Sequence, residues 1–119
     1  MLLKTLDTIT SFEAGDATWL KEVLHPDNDA LDLAYSIAYA IIKPQKQSLP
    51  HQLKNAEVYL FLNGTGEIVV NEKAKPVQQG SIVYVPPMAT QHVVNKGEED
   101  LAFYCIVSPA WKEEEEFVD

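Results

Sequence analysis

The 119 residues suffice for one domain with a modest core and not for two. With 18 acidic against 9 basic residues and a net charge of −9, the surface repels phosphate backbones, which argues against nucleic acid as a partner. Hydrophobic residues make up 46% and charged residues 23%, the balance of a chain that folds. The opening MLLKTLDTIT carries no long apolar run, and nowhere does the chain approach the ~20 apolar residues that span a bilayer. A soluble cytoplasmic protein with no membrane partner is expected. Cys105 is the single cysteine, so it forms no internal disulfide and is read as core packing.

Residues 1–30 are expected to pack on, or swap with, a barrel formed by residues 31–109. Within them, residues 16–25 (DATWLKEVLH) fit a helical face or a strand, and the strand is preferred. His25, next to Pro26 and Asp27-Asn28-Asp29, reads as a surface-loop residue. From residue 31 to 42, Leu31, Leu33, Tyr35, Ile37, Tyr39 and Ile41 alternate with small or polar residues, which predicts a strand. The pattern returns at 58–62, 67–71, 81–85, 92–95 and 101–107. Pro44, Pro50, Asn63-Gly64-Thr65-Gly66, Pro76 with Gly80, Pro86-Pro87 and Lys96-Gly97 separate these runs, and Asn-Gly between apolar runs signals a hairpin. Short strands so punctuated predict an all-β sandwich or barrel, and a closed barrel supplies a lumen. Residues 110–119 are expected to be an acidic tail, with Glu113 to Glu116 solvated. Trp111 is expected to pin this segment to the barrel or to a neighbouring subunit.

Two segments carry the candidate chemistry, PHQLKNAEVYLFLNG (50–64) and GSIVYVPPMATQHVVN (80–95). Together they resemble the paired motifs of the cupin superfamily, in particular its small single-domain, RmlC-like conserved barrels. His51 matches the first histidine of the first motif, Glu57 its glutamate and Gly64 its closing glycine, with Leu53 where the second histidine stands. In the second motif Gly80, Pro86 and Asn95 match, Met88 replaces a glycine, and Gln91 occupies the place of the ligand histidine. The resemblance spans residues 42–107 and implies a double-stranded β-helix, a jelly-roll barrel. It also implies decarboxylation, dioxygenation or sugar isomerisation as the reactions known for such folds, and a homodimer.

Strand alternation puts His51 and Leu53 on one face, Glu57, Tyr59 and Phe61 on one face, and Gln91 and Val93 on one face, with His92 pointing outward. His51, Glu57 and Gln91 together offer an imidazole, a carboxylate and an amide oxygen, a set for a divalent ion such as Zn, Mn, Ni or Fe. Leu53 removes one donor and makes the pocket drier. Tyr59, Phe61, Leu53, Tyr39 and Phe103 are the candidate ligand-binding walls, and Glu57 is the candidate catalytic residue, as ligand or base. Two functions stay open beside that of a barrel serving mainly as a dimerisation scaffold. One is a metal-assisted enzyme acting on a small polar metabolite, an oxo-acid or a sugar. The other is a barrel that binds or senses a small ligand without metal, in which His51 and Glu57 hydrogen-bond each other and Gln91 satisfies the rest.

Overall fold

A computed structural model describes residues 1–119. The chain forms eleven strands: β1 (Phe12–Glu13), β2 (Trp19–Leu24), β3 (Ser36–Ile42), β4 (His51–Leu53), β5 (Ala56–Asn63), β6 (Thr65–Val70), β7 (Lys73–Gln78), β8 (Ile82–Val85), β9 (Thr90–Asn95), β10 (Leu101–Ser108) and β11 (Glu116–Val118). They make two antiparallel sheets, one of six strands in the order β1-β2-β3-β10-β5-β8 and one of five in the order β11-β4-β9-β6-β7. The sheets close on each other as the expected jelly-roll barrel. No helix is long and apolar enough to cross a membrane.

Strand alternation decides what fills the barrel. On β5 Glu57, Tyr59 and Phe61 are buried while Val58 and Leu60 look outward, and on β9 Gln91, Val93 and Asn95 are buried while His92 looks outward. Tyr59, Phe61 and Phe103 pack as a trio with ring centroids 5.1 to 5.9 Å apart. Strand β3 runs against expectation. Its small residues Ser36 and Ala40 are buried, and Tyr39 lies on the outer face against Tyr104 at 5.5 Å. The register explains this, because Phe103 stands opposite Ala40 on one side and Phe61 on the other. A large side chain at position 40 would compete with Phe103 for the same volume. Residues 31–35, expected to begin this strand, form a loop instead.

The Asn63-Gly64 signal also has another meaning. Strands β5 and β6 do not pair; the turn carries the chain from one sheet to the other. Gly64 has φ +87° there, and a Cβ on it would stand 2.6 Å from the Asp100 carbonyl oxygen. The two-residue hairpin is β6–β7, turned at Asn71 (φ 48°) and Glu72 (φ 69°). Pro76 sits inside β7, which the sheet tolerates because β7 is an edge strand bonded only to β6.

Both ends of the chain join the sheets. Residues 19–24 are the expected strand, paired with β3. The acidic terminus is only partly solvated: Glu113 and Glu114 are exposed, but residues 116–118 pair with β4, placing Glu116 opposite Leu53. His25 is buried and not a surface residue. Its Nδ1 accepts the Asp27 amide at 3.1 Å, so its Nε2 carries the proton and donates to the Trp111 carbonyl at 2.6 Å. This bond, with that of the Trp111 amide to Ser36 Oγ at 2.9 Å, ties the C-terminal segment to the barrel.

Candidate functional site

One cavity of about 190 Å3 opens between the sheets at the end where β1, β4 and β11 meet. Leu53, Tyr59, Val93, Phe103, Cys105 and Val107 form its apolar lining, and the small residues Ser36, Ala38 and Ala40 on β3 leave its space. The lining also includes Glu13, Asp16, Glu22, Glu57 and Glu116, with His25 and His51, and it holds no lysine or arginine.

Three of these polar residues converge. Donor atoms of Asp16, His51 and Glu116 all lie within 4.8 Å of one another. Each side chain is oriented by a hydrogen bond at one atom and keeps another to offer. The His51 Nδ1 lies 2.8 Å from the Leu49 carbonyl oxygen; a carbonyl only accepts, so Nδ1 carries a proton, and in the neutral ring Nε2 has the lone pair. That Nε2 faces Asp16 Oδ2 at 3.8 Å. Asp16 closes an Asx turn, its Oδ1 accepting from the Thr18 amide at 3.2 Å and the Thr18 hydroxyl at 2.7 Å. Glu116 Oε1 accepts from Trp111 Nε1 at 3.2 Å. Burial raises the Glu116 pKa and the Asp16 charge adds to it, while His51 and Trp111 oppose.

Deeper in the lumen, Glu57 is buried and its Oε1 has no hydrogen-bond partner. Burial pushes its carboxyl up to about 8, the charges of Asp16 and Glu116 add to this, and the neighbouring Cys105 thiol and Gln91 amide pull the other way. Burial likewise holds the Tyr59 hydroxyl and the Cys105 thiol well above their ordinary values, with the Glu57 charge contributing. The Tyr59 hydroxyl donates to Gln91 Oε1 in a short bond.

The expected residues therefore divide. His51, Leu53, Glu57, Tyr59 and Phe103 wall the cavity. Gln91 stands behind Tyr59 with its amide oxygen engaged, Phe61 lies in the core beyond the cavity, and Tyr39 is on the outside of the barrel. His51 stands in register with Gln91 across β4 and β9, yet its ring bonds to Leu49 and not to Glu57. Asp16 and Glu116 escaped sequence reasoning. The Asp-x-Thr turn was a legible local signal for Asp16, whereas Glu116 sits in a run of four glutamates that alternation over so few residues cannot orient.

The model of the cupin domain family matches residues 38–107. This chain is a cupin. It is 28% identical over 116 residues to an uncharacterized protein of Methanocaldococcus jannaschii, covering 96% of this cupin and 92% of that protein. It is 27% identical over 97 residues to a glucose-6-phosphate isomerase of Thermococcus onnurineus, covering 77% of this cupin but only 47% of the isomerase. This cupin thus spans about half the length of that relative. Among solved structures, the cupin 2 conserved barrel domain protein of Salinispora arenicola superposes with a TM-score of 0.79 at 19% identity, over 96% of this cupin and 91% of that chain. That likeness establishes the fold. Asp16 and Glu116 lie outside the residues that the family model matches.

Proposed function

We propose that this cupin holds a divalent cation at the mouth of its lumen through Asp16, His51 and Glu116, and binds a small, uncharged, oxygen-bearing molecule in the cavity beside it. The observation that carries the reading is the convergence of two carboxylates on an imidazole whose far nitrogen is fixed by a backbone carbonyl. Such outer hydrogen bonds orient metal-binding histidines. Two carboxylates so close repel each other unless a proton or a cation joins them, and nitrogen with carboxylate oxygen suits zinc or a neighbouring first-row ion at bond lengths of ~2.0–2.2 Å. The deeper set of His51, Glu57 and Gln91 fits an ion less well. Gln91 Oε1 already accepts the Tyr59 hydroxyl, and burial raises the Glu57 carboxyl to about 8, so an ion there has a proton to displace first.

The walls restrict the second ligand. The cavity of about 190 Å3 exceeds the ~150 Å3 of an engineered apolar cavity that takes benzene, so a molecule of roughly six to eight heavy atoms fits. Five acidic side chains and no lysine or arginine line it, so apart from a bound cation and the two histidines nothing here pairs with the phosphate of a sugar phosphate, and the carboxylates repel it. A hydroxycarbonyl compound or an unphosphorylated sugar fragment meets no such obstacle. A bound cation would polarise its carbonyl oxygen. Glu57, with an unpartnered oxygen and a carboxyl pushed up to about 8 by burial, is the group placed to exchange a proton with it.

A reading without metal rests on Leu53, which leaves the cavity wall opposite Glu116 apolar and His51 without the family's second imidazole. One experiment separates the two: metal analysis of protein purified without an affinity tag, for the wild type and for His51→Ala, Asp16→Asn, Glu116→Gln and Glu57→Gln. The cation-binding reading expects about one equivalent in the wild type, at least tenfold weaker binding in the first three variants, and retention in Glu57→Gln. Absence of metal under replete conditions rejects it. So does a site that Glu57→Gln empties while Asp16→Asn leaves it filled.

A further inference from the structure

The two segments at the rim of the cavity are held by hydrogen bonds more than by packing. β1 and β11 are edge strands, and none of their residues is buried. The turn after β1 is fixed to the barrel by the Leu49 amide, which donates to the Asp16 carbonyl at 2.7 Å. The C-terminal segment is fixed by the Lys54 amide donating to the Glu115 carbonyl at 2.9 Å, by the Asp119 amide donating to the Pro50 carbonyl at 3.1 Å, and by the Lys54–Glu115 ion pair at 3.5 Å. Segments that bury so little apolar surface open locally at small free-energy cost. Two features favour opening here. Ala17, in the turn, has φ +70°, a left-handed conformation that a side chain disfavours. Glu116, the last of four successive glutamates, closes onto Asp16, with Glu13 and Glu22 on the same cavity wall.

We propose that the cation is a latch that holds both terminal segments over the mouth of the lumen. This rests on the cation site proposed above and on where its donors come from: Asp16 from the turn after β1, His51 from β4 of the barrel, and Glu116 from β11. An ion bound to all three ties the two ends of the chain to the barrel and to each other. Because only the closed arrangement brings the three donors together, binding stabilises that arrangement by mass action. Without the ion, the repulsion between Asp16 and Glu116 frees the C-terminal segment from residue 112 onward. Its base stays in place, since Trp111 remains bonded to His25 and Ser36. The ion thereby governs when a ligand enters and leaves the lumen, in addition to polarising it.

Zinc is the probe, added to the full chain after chelation at pH 8. Hydrogen exchange at the Lys54 and Leu49 amides reads the two terminal segments. Exchange at the Gln45 amide, which donates to the Asn95 carbonyl at 3.1 Å within the barrel, is the reference and reports that the protein is folded. Alkylation by iodoacetamide of Cys105, the single cysteine and part of the cavity lining, reads access to the lumen. Metal analysis of the same samples counts the zinc held. One equivalent is expected to slow exchange at Lys54 and Leu49 and alkylation of Cys105 at least tenfold, and to leave Gln45 unchanged. Glu116→Gln removes the repulsion and keeps an oxygen for the Trp111 indole, so without zinc this variant is expected to exchange several-fold more slowly at Lys54 than the zinc-free wild type, with no response to the zinc that loads the wild type. Zinc held at one equivalent with unchanged exchange at Lys54 overturns the latch and leaves the cation site standing. Zinc not held rejects the site and the latch together. Faster exchange at Lys54 in zinc-free Glu116→Gln also overturns the latch, because the carboxylate would then be holding the segment in place.

Discussion

Leu53 and Glu116 stand directly opposite each other across β4 and β11. The apolar residue in the place of the family's second histidine is thus the cross-strand neighbour of a carboxylate from the far end of the chain, at a Cβ separation of ~4.5–5.5 Å. Both side chains face the cavity. Leu53→His therefore adds an imidazole beside the Asp16, His51 and Glu116 group. Its expected effect is at least a tenfold gain in affinity for zinc or nickel, read by calorimetric titration. Losing a buried leucine costs roughly 2 kcal/mol of apolar burial, read as a lower thermal midpoint before metal is added. Unchanged affinity in a folded variant would remove the mouth of the lumen as the cation site.

The motif residues were legible because alternation is a local property. His51, Leu53, Glu57, Tyr59 and Val93 all face inward as their strand positions dictate, and His92 faces outward. Tyr39 was not legible, because period two says which residues share a face and not which face is inside. Phe103, far away in sequence, decides that by occupying the room opposite Ala40. Gln91 points inward as expected, but the Tyr59 hydroxyl reaches its oxygen first. Asp16 and Glu116 join the site through pairings between the two termini and the barrel, which no local pattern encodes.

Met88, which replaces a family glycine, has φ +66° in the structure. A side chain in the left-handed region costs ~1–2 kcal/mol, whereas glycine adopts it freely at an unfolded-state entropy cost of ~0.5–1 kcal/mol. The position is fixed by the Met88 amide donating to the Leu53 carbonyl at 2.7 Å and by the Met88 carbonyl accepting from Gln52 Nε2 at 3.0 Å. Because the side chain is exposed, little burial is lost on removing it. Met88→Gly is expected to stabilise the fold by about 0.5–1 kcal/mol, measured by urea unfolding. Destabilisation would mean that the methionine makes contacts worth more than the strain.

Glu57 makes the stability of the metal-free protein depend on pH. Its carboxyl is raised from 4.5 to about 8, first by burial, so the folded state holds a proton that the unfolded chain releases at lower pH. Below 4.5 both states are protonated and Glu57 imposes no charge penalty. Between 4.5 and about 8 the penalty of keeping it buried grows as pH rises, and above that range it is complete. The full interval corresponds to at most roughly 5 kcal/mol, and relaxation with water entry makes a few kcal/mol the expected size. Glu57→Gln removes the ionisation and keeps the shape, so after chelation the variant is expected to match the wild type near pH 4.5 and to exceed it by a few kcal/mol at pH 8. Urea unfolding at both pH values reads the difference. Parallel profiles for the two proteins would show that Glu57 is already ionised inside the barrel.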